Sequence, residues 1–268
     1  MHRIAILGAT GRMGRALLEL VAASDDLTLS GAAAEPGHPA LGTDPGPGLG
    51  LPAFGLRIGD DPAAAVAGAE VAVDFSVAAA TAAHAAACAA QGVALVIGTT
   101  GLGEAEQAAL AAAAERVPVV YGRNMSIGVN LLSELVRLAA RTLDTDYDIE
   151  IYEAHHRHKV DAPSGTALQL GEAAVAGRGG RLDELAVYQR HGHTGPRPAG
   201  TIGFAVARAG GIVGDHRVTF GGDEELLELG HRALDRRVFA RGALRAARWV
   251  VGQRPGLYGM REVLGLAD

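Results

Sequence analysis

The chain holds 268 residues, 49% of them hydrophobic and 20% charged, with a formal net charge of -6. That length supports one large domain or two modest ones with buried cores, and the acidic balance excludes the basic stripe of a nucleic-acid-binding domain. The single cysteine, Cys88, excludes an intrachain disulfide and fits a reducing, cytoplasmic setting, the apolar run in the opening MHRIAILGATG is too short for a signal peptide, and no later run is long enough to span a bilayer.

In chain order, Arg3 to Leu7 is a short apolar run that predicts a buried strand, and Gly8 to Gly14 a turn. Arg12 to Ala23 has helical spacing, with Met13, Ala16, Leu17, Leu20 and Val21 on one face. A second strand runs from Leu27 to Ala34 and ends at Glu35. Residues 37–58 hold six glycines and four prolines, which predicts an irregular connection, expected to lie away from the chemistry. Pro62 to Gly68 predicts a short helix and VAVDF (Val71 to Phe75) a third strand. A helix follows with Ser76 as its expected N-cap and Gly92 at its end. VALVIG predicts a fourth strand, Gly103 to Arg116 a helix, and VPVVYG a fifth strand. Strand and helix alternate over about 120 residues, so a parallel sheet covered on both faces is expected.

The pattern then changes. Ile127 to Leu143 is a long amphipathic helix, Tyr147 to Glu153 alternates like a strand, and Ala167 to Val175 is helical. LAVYQ, TIGFAVARAG, HRVTFGG and ELLELGH then read as strands without helices between them, a meander or mixed sheet in a second, α+β domain. Arg236 to Gln253 returns to helix, with Val238, Phe239, Leu244, Ala247 and Val251 apolar, and is expected to pack back on the first domain. The predicted domains are therefore 1–126 with 236–268, and 127–235.

ILGATGRMG sets Gly8, Gly11 and Gly14 between a strand and a helix. Small residues there let the backbone approach a pyrophosphate, and a helix N-terminus supplies aligned N–H donors. A tight turn with no ligand is the bland alternative. The context is that of a dinucleotide site of the Rossmann type: first strand, first helix, and an acid, Glu35, at the end of the second strand. GTTG (Gly98 to Gly101) and GRNMSIGVN (Gly122 to Asn130) also fall at carboxyl ends of predicted strands, where ligands of parallel sheets bind.

YEAHHRHKVDAPSGTA crowds His155, His156, Arg157, His158 and Lys159 into five positions. As zinc ligands they are badly placed, because neighbours on a strand point to opposite faces and the chain has no H-E-x-x-H; no metal is expected. As an anion site the segment makes sense: its cations attract carboxylates, and DAPSGTA starts a helix whose N–H groups at Ser164, Gly165 and Thr166 do the same. Arg157 and His158 read equally well as structural or rim charges, and His191 and His193 in RHGHTG read better as loop-surface residues than as part of the cleft.

Together, GATGRMG, GTTG, NMSIGVN, EAHHRHKVDAPSGTA, GHTG with GTIGFAVARAGGIVGDH, and GLYGMREVL resemble the dihydrodipicolinate reductases, also named 4-hydroxy-tetrahydrodipicolinate reductases, of diaminopimelate and lysine biosynthesis. The resemblance runs in order from Ile4 to about Leu264. It implies NADH or NADPH as reductant, a small cyclic dicarboxylate as substrate, and a homotetramer built through the second domain's sheet. It further implies His155 as proton donor and acceptor with Lys159 as a second catalytic group, and His156, Gly165 and Thr166 as substrate-binding residues. By the same resemblance Gly8, Ala9, Thr10, Gly11, Arg12 and Met13 hold the pyrophosphate and Glu35 the ribose. Gly98, Thr99 and Thr100 then border the nicotinamide, and Gly122, Arg123, Asn124 and Met125 the same cleft. One departure stands out: family members that use NADPH well often carry arginine directly after the acid of the second strand, where this chain has Pro36. A non-catalytic dinucleotide sensor and a dehydrogenase for another amino dicarboxylate are the alternatives.

Overall fold

The computed structural model describes residues 1–143 and 145–266. Asp144, Ala267 and Asp268, which fall within the two predicted domain ranges, lie outside the described residues. The chain forms two compact units, Met1–Ile127 with Arg236–Asp268, and Gly128–Asp235.

The first unit alternates β1 (His2–Leu7), α1 (Arg12–Ala22), β2 (Leu27–Ala33), α2 (Pro62–Val66), β3 (Val71–Asp74), α3 (Thr81–Gln91), β4 (Ala94–Ile97), α4 (Glu104–Ala114) and β5 (Pro118–Tyr121). From the C-terminal part come α8 (Arg237–Val250), β11 (Gly256–Tyr258) and α9 (Met260–Leu264). The sheet is parallel throughout, in the order β11-β5-β4-β3-β1-β2. The central strands β3 and β4 are buried on both faces, which explains their nearly unbroken apolar runs. Along β1 the side chains alternate: Ile4 and Ile6 join the core under α1 and α8, and Ala5 and Leu7 the core under α3 and α4. Ile4, Ile6 and Leu7 are fully buried, each contributing about 1.5–3 kcal/mol by removal from water, so four- to seven-residue strands suffice. α8 lies so close to the chain at Met125 that a Cβ on Gly242 would come within 1.7 Å of the Met125 carbonyl oxygen.

In the second unit α5 (Ile127–Thr142), which starts at the unit boundary, and α6 (Gly165–Arg178) pack with a five-stranded sheet. Its strands are β6 (Asp148–His155), β7 (Ala186–Val187), β8 (Ile202–Arg208), β9 (Gly214–Gly221) and β10 (Leu226–Ala233), with α7 (Leu182–Leu185) before β7. The order is β10-β9-β6-β8-β7, antiparallel on the β9 side of β6 and parallel on the β8 side, so the sheet is mixed. Ile149, Ile151, Phe204, Val218 and Phe220 meet Leu132, Val136, Leu170 and Ala174 in its core.

Three local expectations need correction. Ser76 does not cap α3: a 3-10 turn at Ala78–Ala80 intervenes and the helix begins at Thr81, because Ser76 is held by a buried network described below. LAVYQ forms only a two-residue strand, preceded by a turn of helix. The edge strand β11, three residues of GLY, was too short to be read from periodicity.

Candidate active site

In the first unit the expected cofactor residues gather at the carboxyl ends of β1, β2, β4 and β5. Gly8 has φ +81, a left-handed conformation that favours glycine. The N–H groups of Gly8 and Ala9 both donate to the Ala33 carbonyl, at 3.0 and 2.8 Å, which ties the turn to the end of β2. A Cβ on Gly14 would sit 2.2 Å from the Gly8 carbonyl oxygen, so the first turn of α1 lies directly on the glycine turn. A helix start on a glycine turn is the kind of site that accepts a pyrophosphate; these residues fit a dinucleotide. Arg12 is exposed and Glu35 is exposed just beyond β2. Arg236, which sequence reading did not single out, lies beside Arg12: burial, and then that neighbouring charge, lower its guanidinium pKa.

At GTTG the Thr99 side chain turns inward, its hydroxyl 3.3 Å from Asp74 Oδ1, while Thr100 is exposed. Gly122 N–H donates to the Ile97 carbonyl at 3.1 Å, Asn124 Oδ1 accepts the Ser126 N–H at 2.8 Å, and Met125 is buried.

Residues 37–58 do not lie away from this region. The Asp44 carboxylate accepts the N–H groups of Gly46, Phe54 and Gly55 at 2.9, 3.1 and 2.7 Å, and these donors hold its pKa below the ordinary value. The folded connection borders an open pocket of about 100 Å³ whose lining includes Ala9, Thr10, Arg15, His38, Thr43 and Asp44.

In the second unit the expected residues lie at the end of β6 and between it and α6. His155 and Glu153 are two apart on one strand, so both face the same way. Glu153 is fully buried and His155 is 8% exposed. All four donor positions around the Glu153 carboxylate are filled. Oε2 lies 2.6 Å from His155 Nδ1 and 2.8 Å from an Arg208 nitrogen, and Oε1 accepts the second Arg208 nitrogen and the Ser164 N–H, each at 2.9 Å. Burial alone would raise this carboxyl, but the His155, Arg208 and Ser164 donors outweigh it and hold the pKa at about 2. Glu153 is therefore ionised and accepts only, so Nδ1 of His155 carries its proton. Nε2 is the other ring nitrogen; a Cβ on Gly214 would come 3.2 Å from it.

One expectation changes here. The Ser164 N–H does not await an external anion, because Glu153 takes it. Lys159 is engaged by Asp161, Nζ to Oδ1 2.7 Å. The Ser164 side chain caps α6, accepting the Ala167 N–H at 3.1 Å and leaving Gly165 exposed and Thr166 half-buried on its first turn. His156 is half-buried, and His191 and His193 are exposed. Among the described residues no cluster could hold a metal ion.

Sequence reading missed Glu153, Arg208 and His216. His216 is 4% exposed, with its ring edge-on to His155 at 5.0 Å between centroids. Its Nε2 lies 3.1 Å from the Ser164 hydroxyl, whose own acceptor side serves Ala167, so Ser164 donates to it. Nδ1 then carries the proton and is buried without a hydrogen-bond partner. Burial, and then the His155 charge beside it, lower the His216 pKa to about 4. Below the ordinary histidine value the unfolded chain takes up a proton that the folded chain refuses until about pH 4, so this residue lowers stability as pH falls through that window. About 2 kcal/mol should be lost to it between pH 7 and 5. In His216→Gln, denaturant unfolding at the two pH values should show that much less loss; an unchanged difference would mean that His216 is protonated in the fold.

Two family models match the chain, described as "Dihydrodipicolinate reductase, N-terminus" over residues 2–125 and "Dihydrodipicolinate reductase, C-terminus" over residues 128–264. A 4-hydroxy-tetrahydrodipicolinate reductase of Thiobacillus denitrificans is 56% identical over 264 residues, covering 98% of each chain. One of Alkalilimnicola ehrlichii is 53% identical over 264 residues, covering 98% of this chain and 99% of the relative. In fold, the chain is similar to the dipicolinate-bound dihydrodipicolinate reductase of Paenisporosarcina sp. TG-14, with a TM-score of 0.78 at 24% identity over 98% of this chain and 100% of that one. The family is one of reductases on a dinucleotide-binding fold, which implies a nicotinamide dinucleotide as cofactor. Matched in both halves by the family models, and identical to these two relatives at more than half of the aligned positions, the chain belongs to the dihydrodipicolinate reductase family of oxidoreductases.

Proposed function

We propose that the protein reduces 4-hydroxy-tetrahydrodipicolinate to tetrahydrodipicolinate, in diaminopimelate and lysine biosynthesis, with NADH or NADPH held by the first unit and the cyclic dicarboxylate by the second. The 4-hydroxyl leaves as water, and a reduced nicotinamide, when bound, would supply hydride to the conjugated ring carbon that results. His155 supplies the proton from Nε2, since Glu153 keeps the proton on Nδ1. The observation that carries this reading is the fully satisfied Glu153 carboxylate, which fixes tautomer and ring together. Lys159 exchanges Asp161 for a substrate carboxylate and offsets the charge that develops toward the ring nitrogen. His156 and the first turn of α6 at Gly165 and Thr166 hold the other carboxylate. A panel of small cyclic and acyclic amino dicarboxylates, including the fresh aldol product of pyruvate and aspartate semialdehyde, tests it by loss of NADH absorbance. Turnover of the aldol product alone is expected; faster turnover of another acid would assign a different dehydrogenase.

Gly8 to Met13 hold the pyrophosphate, Glu35 the ribose, and Gly98 to Thr100 with Gly122 to Met125 border the nicotinamide. Glu35 repels a 2′-phosphate and Pro36 offers no cation. Arg12 supplies one charge-assisted contact of about 1.5–3 kcal/mol. NADH should therefore be used at least as efficiently as NADPH, and Arg12→Ala should weaken NADPH more than NADH. The check is kcat/KM for both cofactors at fixed ionic strength. A preference of about tenfold or more for NADPH would mean that another cation, Arg236 or one on the 37–58 connection, reaches the phosphate.

The protein works as a cytoplasmic homotetramer in this reading. Support comes from the second unit's sheet, where Tyr152 is 41% and Leu226 69% exposed, apolar surface of the kind that partners cover. Light scattering at micromolar concentration should give the mass of four protomers.

A further inference from the structure

Asp74 ends β3 as an acid with none of its surface exposed. A carboxylate in that position is costly unless every lone pair is used. Its Oδ2 lies 2.8 Å from Nδ1 of His84 on α3, itself 9% exposed. Its Oδ1 accepts the Ser76 N–H at 2.8 Å and the Thr99 hydroxyl at 3.3 Å, and the Thr99 oxygen lies 3.1 Å from the same Ser76 nitrogen. One carboxylate thus joins α3, the turn after β3 and the turn after β4.

The turn after β3 also touches the glycine turn. A Cβ on Gly8 would come 2.8 Å from the Phe75 carbonyl oxygen and 3.1 Å from Ser76 Cα, and a Cβ on Gly98 would strike the Phe75 ring at 2.3 Å. Phe75 and Ser76 are therefore wedged between the Gly8 turn and the Gly98–Thr100 turn. Packing alone would be served by an apolar residue at position 74. A carboxylate clamped from one side by an imidazole does something else: it fixes the plane in which Oδ1 meets Ser76 and Thr99.

We infer that Asp74 and His84 form a positioning pair that sets the spacing between the Gly8 turn and the Gly98–Thr100 turn, and so matches the protein to a whole dinucleotide rather than to its adenosine half. The inference rests on the dinucleotide reading above. Neither residue touches reacting atoms; both act through the two turns.

The test is equilibrium binding of NADH and of ADP-ribose to the wild-type, His84→Leu and His84→Asn proteins. ADP-ribose lacks only the nicotinamide that the Gly98–Thr100 turn would border, whereas NADH spans both turns. His84→Leu keeps the volume and removes the donor; it should weaken NADH by at least about fivefold and ADP-ribose by less than about twofold. His84→Asn places an amide N–H near the position of Nδ1 and should restore NADH binding to within about twofold of wild type. Thr99→Val removes the hydroxyl from the other side and should repeat the NADH-selective loss, which keeps the test open if His84→Leu does not fold. Equal losses for both ligands, wild-type NADH binding in both His84→Leu and Thr99→Val, or no rescue by asparagine would overturn the positioning pair. A wild-type protein that binds neither ligand would instead sink the dinucleotide reading, and this inference with it.

Discussion

His155→Gln should lower kcat by at least about 100-fold while leaving NADH affinity nearly unchanged. The imidazole's Nδ1 proton is pinned by an ionised carboxylate 2.6 Å away, which leaves Nε2 to pass a proton to the substrate. Glutamine keeps a donor toward Glu153 and much of the ring's volume, so the buried cluster of Glu153, Arg208 and Ser164 stays satisfied. What disappears is the transferable proton at Nε2. A residue that acts only in the transition state lowers kcat and kcat/KM together, and the dinucleotide site, built from the other unit's strands, is untouched. Near-wild-type turnover would remove His155 from the mechanism.

Glu153→Gln should be nearly as damaging, for a different reason. The carboxylate receives four donors, and an amide offers one oxygen and two further donors in its place. His155 can relieve its share of that conflict only by moving its proton from Nδ1 to Nε2, and the imidazolium then loses its counter-charge. Arg208 cannot adapt, because guanidinium has no acceptor. We expect a loss of about 2–3 kcal/mol of stability, discounted from the usual cost of breaking a buried pair because Arg208 is partly exposed. We also expect kcat to fall by about 30- to 100-fold, with the alkaline limb of the pH–rate profile, set by loss of the proton that His155 donates, moved to lower pH. A purely structural Glu153 would lower stability and leave that limb where it was. Stability and profile unchanged together would mean that the carboxylate does not hold the ring.

The parallel half of the fold was legible because its signals are local: apolar runs, a glycine turn, and caps such as Gly92, which takes the left-handed conformation at the end of α3. A mixed second sheet was also within reach, but its strand order was not, since the insertion of β6 between β9 and β8 depends on contacts far apart in sequence. At the site, the cations of the histidine segment announced themselves by crowding. The groups that control them did not. Glu153 was nevertheless within reach, because an acid two residues before a histidine on a strand must share its face. Arg208 and His216 arrive from β8 and β9, and only the sheet register brings them to β6: His155 pairs with Arg208, and Glu153 with His216. Asp74 and His84 were written in plain view as an acid ending an apolar strand and a lone histidine in an alanine-rich helix, yet each alone reads as incidental. Ser76 was misread as a cap because its N–H and hydroxyl serve that same hidden pair. Glycine and proline content was read rightly as an irregular connection at 37–58, but it did not show that Asp44 ties the segment together or that the segment borders Ala9 and Thr10.

The measurement that bears most directly on the proposed reduction is a single-turnover experiment. Purified protein with bound NADH is mixed with freshly generated aldol product of pyruvate and aspartate semialdehyde, and nicotinamide absorbance and product are followed together. NADH should be oxidised one for one with tetrahydrodipicolinate formed, at a rate that saturates with substrate and collapses in His155→Gln. Tight NADH binding with no loss of absorbance above the protein-free rate would contradict the reduction and leave a dinucleotide sensor in its place.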